Sequence, residues 1–218
     1  MRKSIFHEDW WLDTVAPGRW AQVETDRGYL RYAYRNKMMF RESRMPPLTR
    51  TLGPVINVEA KKIESRQRAM FSAVAELLEK LPEFDHITIR LDPTVTDVLP
   101  FQALGFQASV QHTFLADCAQ PEATIWSEMR DKTRNIVRRA QDCLTIADND
   151  DTDAFTRFYT ENLEEKSYID MRLVAAIYNA AHARGQARIL TAADAKGDVN
   201  AQAMFVWDDR SYYYYLSS

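Results

Sequence analysis

Residues 126–142, WSEMRDKTRNIVRRAQD, constrain this chain more than any other stretch. Read at 3.6 residues per turn, Ile125, Met129, Ile136, Val137 and Ala140 share one side, as an amphipathic helix requires. The other side carries Lys132, Arg134, Arg138 and Arg139, with no acid between 132 and 139. Arg134 and Arg138 stand at i and i+4, so their guanidinium groups project the same way from neighbouring turns. Two such forks can grip a phosphate or carboxylate bidentately, better than a lysine pair would. Like charges at that spacing cost ~0.2–0.5 kcal/mol in an isolated helix, so a nearby anion would relieve them. That anion can be a ligand or the chain itself. Residues 142–153 hold Asp142, Asp148, Asp150, Asp151 and Asp153 and no base. Charge runs on helices are more often solvated or internally paired than ligand-binding.

The rest of the composition narrows the function classes. The 218 residues, 46% apolar and 27% charged, suit one large or two small soluble domains. A net charge of -3 gives no general pull toward nucleic acid or membrane. Positive charge is nevertheless concentrated: Arg27, Arg31, Arg35, Lys37, Arg41, Arg44 and Arg50 face one acid, Glu42. Such a patch suits a small anionic substrate. Cys118 and Cys143 lie in no CxxC or Cys/His spacing and read as reduced, structural cysteines. His7, His86, His112 and His182 are scattered, form no metal pair with an acid, and read as surface or strand histidines. No segment approaches ~20 apolar residues, so no membrane insertion is expected and the protein is placed in the cytoplasm. Any membrane-linked substrate would be met from that side.

Along the chain, 7–16 reads as a short helix ended by Pro17 and Gly18; adjacent Trp10 and Trp11 cannot both face one core. A hairpin over 19–25 and 29–35 turns at Asp26, Arg27 and Gly28, with Arg31 and Arg35 on one face of its second strand. A third strand is expected within 37–44, and 48–57 is extended with a turn at Gly53 and Pro54. Asn57 caps a long helix, 59–81, with Ile63, Met70, Phe71, Val74, Leu77 and Leu78 as its stripe. A strand at 86–91, a short helix at 96–104 stopped by Gly105, and a strand at 109–116 follow. Asp97 reads as a helix cap, with a cleft carboxylate as its other reading. After the junction come the basic helix, a short strand at 144–147, and a helix from Thr152 carrying Phe155, Phe158, Tyr159 and Leu163. A helix over 169–184 then leads to strands 187–192, 201–207 and 211–216, which form an antiparallel meander.

This order of elements in the first half, and the FQALGF corner at 101–106 followed by a strand, resemble the GNAT acyltransferase fold. Thr133, Arg134, Asn135, Ile136, Arg138 and Ala140 on the linking helix resemble the Fem-type group, the aminoacyltransferases and their Fem-like acetyltransferase relatives. So do Trp10, Trp11 and Leu12, and the run from Pro47 to Pro54. The resemblance implies an α+β, GNAT-like fold: one complete unit, 1–118, and a partial second unit, 119–218, opened by the basic helix 122–142. The second unit is expected to be incomplete, since in that group further elements follow where Ser218 stands. Its last strand, with Tyr212 to Tyr215, is then an exposed sheet edge through which the chain can self-associate.

The resemblance further implies an acyltransferase that moves an acyl or aminoacyl group onto an amine by direct attack. The acceptor would be a small-molecule or peptide amine, and the donor either aminoacyl-tRNA or acyl-CoA, with no tightly bound cofactor. Aminolysis of this kind needs orientation and oxyanion stabilisation more than a protein nucleophile. The sequence agrees in having no GxSxG, no HExxH and no cysteine in a nucleophile setting. Acyl-CoA enzymes of the GNAT fold hold a pyrophosphate on a Gly-rich loop at a helix N-terminus. The equivalent stretch here, 52–57, has one glycine and a proline without a donor. Arg134, Asn135 and Arg138 are the substrate-binding candidates, clamping an anionic group at the seam between units. Arg31, with Arg35, would widen that surface, although strand arginines more often face solvent. Trp207 is a further contact at a strand end, with a core position as its other reading, and Asp208 beside it is a turn former. A catalytic base is not identifiable. The alternative reading is an inactive or truncated GNAT-like module that binds an anionic ligand or a partner chain.

Overall fold

Strand β2, Gly28–Lys37, is the piece on which the first half of the chain is assembled. In the computed structural model, which describes residues 2–59, 62–95, 97–162 and 169–218, it pairs with three other strands. Strand β1 (Trp20–Thr25) runs antiparallel to it through Thr25 opposite Gly28. Strand β3 (Phe40–Ser43) returns along its far half, and β4 (Val55–Ile56) meets Gly28 and Tyr29. A Cβ on Gly28 would overlap the Val55 carbonyl oxygen, so the crossing of β4 needs glycine there. Parallel strand β5 (His86–Ile87) completes the sheet beside β3.

Both faces of this sheet are covered. Leu30 points at the 17-residue helix α2 (Ile63–Glu79) and joins Ile56, Ala73, Val74, Leu77 and Phe101 in one core. Arg31, on the other face, meets the N-terminal segment: a 3-10 turn, Ile5–His7, and helix α1, Asp9–Val15. Ile5, Phe6, Trp11 and Leu12 there are fully buried, whereas Trp10 is half-exposed. Only one tryptophan of the pair enters the core, as adjacency on a helix demands.

The short helix α3, Leu99–Ala103, shows what the FQALGF stretch does. Gly105 turns at φ +88, Phe106 N donates to Phe101 O at 3.0 Å, and the two rings meet edge to face at 6.1 Å. This is a left-handed helix cap closed by an apolar contact. At the other end the N-cap position is Val98, and Asp97, one residue earlier, accepts from Leu99 N at 2.9 Å.

The chain divides into two compact units, Met1–Gln111 and His112–Ser218. In the second, helices α4 (Glu122–Glu128) and α5 (Asp131–Cys143) lead to β6 (Leu144–Asp148). Helices α6 (Thr152–Glu161) and α7 (Met171–His182) follow, then strands β7 (Ala187–Asp194), β8 (Val199–Trp207) and β9 (Tyr212–Ser217). The sheet runs β6-β7-β8-β9, antiparallel throughout, as a meander should. Phe155, Tyr159, Val174, Ile177, Tyr178 and Ala181 from the helices are buried with Ala187, Ile189, Met204 and Val206 from the strands. The architecture is mixed α+β.

Several sequence expectations change here. Residues 126–142 are not one helix: Met129 and Arg130 are extended, at ψ 143 and 144, and Trp126 to Glu128 belong to α4. No residue of α5 is buried, and Ile136 is 57% exposed, so its apolar side covers no core. In α2, Ile63 and Phe71 are exposed, and the buried stripe is Ala73, Val74 and Leu77. The expected strand 109–116 has no regular structure and leaves Val110, Phe114 and Leu115 exposed. Alternation predicts a strand only where a neighbouring strand supplies hydrogen bonds, and that lies outside periodicity. Thr96 and Leu163 lie outside the described residues.

Candidate functional site

The α4–α5 corner brings Arg134, Asn135 and Arg138 together around Trp126. Helix α4 ends at its C-terminus with carbonyl oxygens that have no intrahelical donor and a partial negative charge. Arg134 reaches back from the second turn of α5 and donates through Nη1 to Ser127 O at 2.9 Å and Met129 O at 2.6 Å. The same nitrogen lies 3.3 Å from Trp126 O. Its Nη2 pairs with Asp131 in the first turn of α5. The guanidinium is therefore the clamp of the corner, and its side chain is only 21% exposed.

Arg138, one turn on, is exposed. Its guanidinium carbon sits 5.4 Å from the Trp126 ring centre, and Nη1 lies 3.3 Å from Asn135 Oδ1. Lys132 and Arg139 are also exposed on α5. The two forks thus converge on one residue, Trp126, with different jobs: Arg134 holds backbone, and Arg138 presents charge beside an aromatic ring.

Three acids of the stretch that follows have other partners. Asp148 pairs with Arg188 at 2.6 Å, and Asp151 accepts from Ala154 N at 2.9 Å, capping α6. Asp150 accepts from the Tyr178 hydroxyl at 2.9 Å and lies 3.5 Å from His182 Nε2. Burial, then the bond to Asp150, pushes the Tyr178 hydroxyl far above its ordinary range, so this hydroxyl stays a donor at any physiological pH. The internal acid that answers the helix is Asp131, in its own first turn.

The positive run in the first unit is largely compensated. Arg27 pairs with Glu76 and reaches Ser72. Arg31 donates to His7 O, pairs with Asp9 at 2.6 Å and bonds Gln22 at 2.9 Å. Its side chain is 13% exposed, because the N-terminal segment covers that face of β2. Arg35 and Arg44 both hold Glu42, at 2.9 and 3.0 Å. The hydrogen bond from Arg35 leads in keeping the Glu42 carboxyl below its ordinary range. Trp207 is half-buried, stacked on Tyr212 at 5.1 Å, and Asp208 accepts from Arg210 N and Ser211 N as a turn former does.

The sequence reading missed His7, which is 2% exposed rather than a surface or strand residue. Ser4 N donates to its Nδ1 at 3.2 Å, so the ring is neutral and Nε2 carries the hydrogen that bonds Gly53 O at 3.0 Å. One histidine closes the 3-10 turn and ties it to the 52–57 stretch. Only the Ser-x-x-His spacing hinted at it. Burial holds its pKa below the ordinary value of about 6.5. The unfolded chain therefore binds a proton that the folded one refuses as pH falls through that value. Its stabilising contribution is whole above about pH 6.5 and is lost on acidification toward the lowered folded pKa. Urea melts of the wild type and of His7→Gln across that interval should show a steeper acid loss in the wild type. Parallel pH curves would count against a neutral buried imidazole.

The 52–57 stretch does not fit a pyrophosphate cradle. Leu52 N donates to Arg90 O at 3.0 Å and Asn57 N to Arg27 O at 2.9 Å. Pro54 has no N–H, and Val55 and Ile56 pair with β2. Cys118 and Cys143 are both free and exposed, so neither is a core residue. Among the described residues, no three His, Cys, Asp or Glu side chains gather as a metal site. No helix among them is long and apolar enough to cross a membrane.

Comparison with protein-family models and with curated proteins returns no match. Comparison with solved structures does. The chain is similar in fold to FemX, whose crystal structure superposes with a TM-score of 0.56 at 16% sequence identity. The match covers 88% of this chain and 53% of FemX, so the chain spans about half the length of that protein. At that identity the fold is what the two share: the chain has a Fem-like fold.

Proposed function

We propose that this chain is an acyltransferase module of the Fem type, in which an amine attacks an activated acyl donor directly. The observation that carries this reading is the FemX-like fold over 88% of the chain. It takes 1–118 as a GNAT-like unit and 119–218 as part of a second. Within it, Arg134 positions the α4–α5 corner, and Arg138, with Asn135, Lys132 and Arg139, receives the anionic part of a substrate. Leu52 N and Asn57 N are bonded internally, Val55 and Ile56 pair with β2 and Pro54 has no N–H, which favours an aminoacyl ester on tRNA over acyl-CoA as donor. Side-by-side transfer assays from charged tRNA and from acetyl-CoA onto a panel of amines test this. Label should move from charged tRNA, and no transfer from either donor by folded protein would sink the reading.

A second reading, a non-catalytic module that binds a partner chain, draws on one observation. Strand β9 is last in its sheet and carries Tyr212 and Tyr214 at 68% and 66% exposure. An edge of that kind pairs readily with a second copy, and lysine blocks such pairing. Tyr214→Lys should convert a sedimenting dimer to monomer, whereas a wild type that is already monomeric at all concentrations removes this reading. Tyr215, 2% exposed, is unsuitable for the test because its ring lies in the core.

A further inference from the structure

The tip of the β2–β3 hairpin is built against its own backbone. Lys37 stands opposite Phe40, so Met38 and Met39 form a two-residue turn. Met38 has φ +56, a conformation in which a first turn residue is normally glycine or asparagine. Its side chain is 93% exposed, Met39 is 86% exposed and Phe40 51%. Local folding therefore gains nothing from methionine here, and the turn would form more readily with glycine. Three consecutive apolar side chains at an exposed tip also run against solubility. When an outlying backbone holds an exposed apolar group, the inference runs toward what that group contacts.

The surroundings say what kind of contact. Lys37 and Arg41 flank the tip and are exposed, and Arg41 lies 5.1 Å over the Phe84 ring. Behind them, Arg35 and Arg44 share Glu42 and leave a net positive charge. One acid sits beside the tip, Asp85, which accepts from Arg41 N at 2.7 Å, so Arg35, Lys37, Arg41 and Arg44 still outnumber Glu42 and Asp85. An apolar tip flanked by Lys37 and Arg41, in a hairpin with excess positive charge, is complementary to an anionic bilayer surface, where methylene groups enter the acyl boundary and lysine and arginine meet the headgroups. Methionine and phenylalanine are adaptable enough for that disordered boundary.

We propose that the β2–β3 hairpin tip, Lys37 to Arg41, is a peripheral docking site for an anionic membrane surface. The contact is shallow and reversible and involves no spanning segment. It carries the first unit to the bilayer independently of any acyl transfer in the rest of the chain.

The test is co-sedimentation of the whole chain with vesicles of phosphatidylcholine alone and of phosphatidylcholine mixed with phosphatidylglycerol, at low and high salt. Binding is expected to the mixed vesicles and to weaken as salt screens the headgroups. Met38→Gly with Met39→Ser should lower the bound fraction by about tenfold, from the apolar surface lost. Melting of the same variant should hold or rise, because glycine relaxes the turn. Phe40→Ser should act in the same direction on binding. Failure to bind either vesicle overturns the proposal, and the tip is then left to a protein partner. Equal binding of wild type and double variant overturns it too, because the membrane contact would lie elsewhere.

Discussion

Trp11→Ala is expected to cost about 3–5 kcal/mol of stability, the range for deleting a fully buried tryptophan. The ring has no exposed surface, packs edge to face on Phe6 at 4.9 Å, and donates through Nε1 to Thr49 Oγ1 at 3.1 Å. Alanine would leave a cavity beneath α1 and take one partner from Thr49, which is itself buried. Denaturant melts should show the loss, and thermal melts a fall in Tm on the order of 6–20 °C. Trp11→Phe keeps most of the apolar burial and loses the hydrogen bond, so about 1–2 kcal/mol is expected there. A loss below ~1 kcal/mol for alanine would mean that the N-terminal segment does not pack on β2 as described. That packing also covers Arg31, so Trp11→Ala should loosen Arg31 from His7 and Asp9.

The second prediction separates the two arginines of α5. Arg134→Ala removes a charged donor from the Ser127 and Met129 carbonyls at the end of α4 and from Asp131. Hydrogen bonds to charged groups contribute about 1.5–3 kcal/mol when partly buried, so a loss near the lower end of that range is expected in thermal or urea melts. Arg138→Ala removes a ring contact and one long hydrogen bond from an exposed side chain, so its cost should stay within about 0.5–1 kcal/mol. Activity should divide the other way. With an anionic substrate, Arg138→Ala is expected to raise KM at nearly wild-type Tm, and Arg138→Lys to restore part of the loss. If Arg134→Ala melts like wild type while Arg138→Ala unfolds, the assignment of roles at this corner is reversed.

The sequence made some of this legible and hid the rest for identifiable reasons. The FQALGF corner was readable because a left-handed cap needs glycine and its apolar contact has a fixed spacing, which Phe101 and Phe106 supply. The meander was readable because Asp194 to Asp198 and Asp208 to Arg210 are turn-rich and the strands between them alternate. The Trp10–Trp11 division followed from helix geometry alone. The break at Met129 and Arg130 left no trace, since neither residue is a helix breaker. It depends on Arg134 reaching the carbonyls of α4, a contact that pattern-reading cannot see. The same holds for Arg31. Its strand position was readable, but not that the N-terminal segment would cover that face and bond it to His7 O and Asp9.

By itself, then, the sequence determined the order and type of most elements, because periodicity, caps and turn chemistry are local and each is set by a few neighbouring residues. It also pointed to a positive helix with Arg134 and Arg138 on one side. Tertiary structure alone decided which charges are spoken for. Arg27, Arg31, Arg35 and Arg44 all found acids, backbone or both, and Arg134 became a fastener, while Arg138 stayed exposed. The reason is that a guanidinium's role depends on which carbonyls and carboxylates come within about 3 Å of it. Those neighbours are set by packing between segments far apart in the chain.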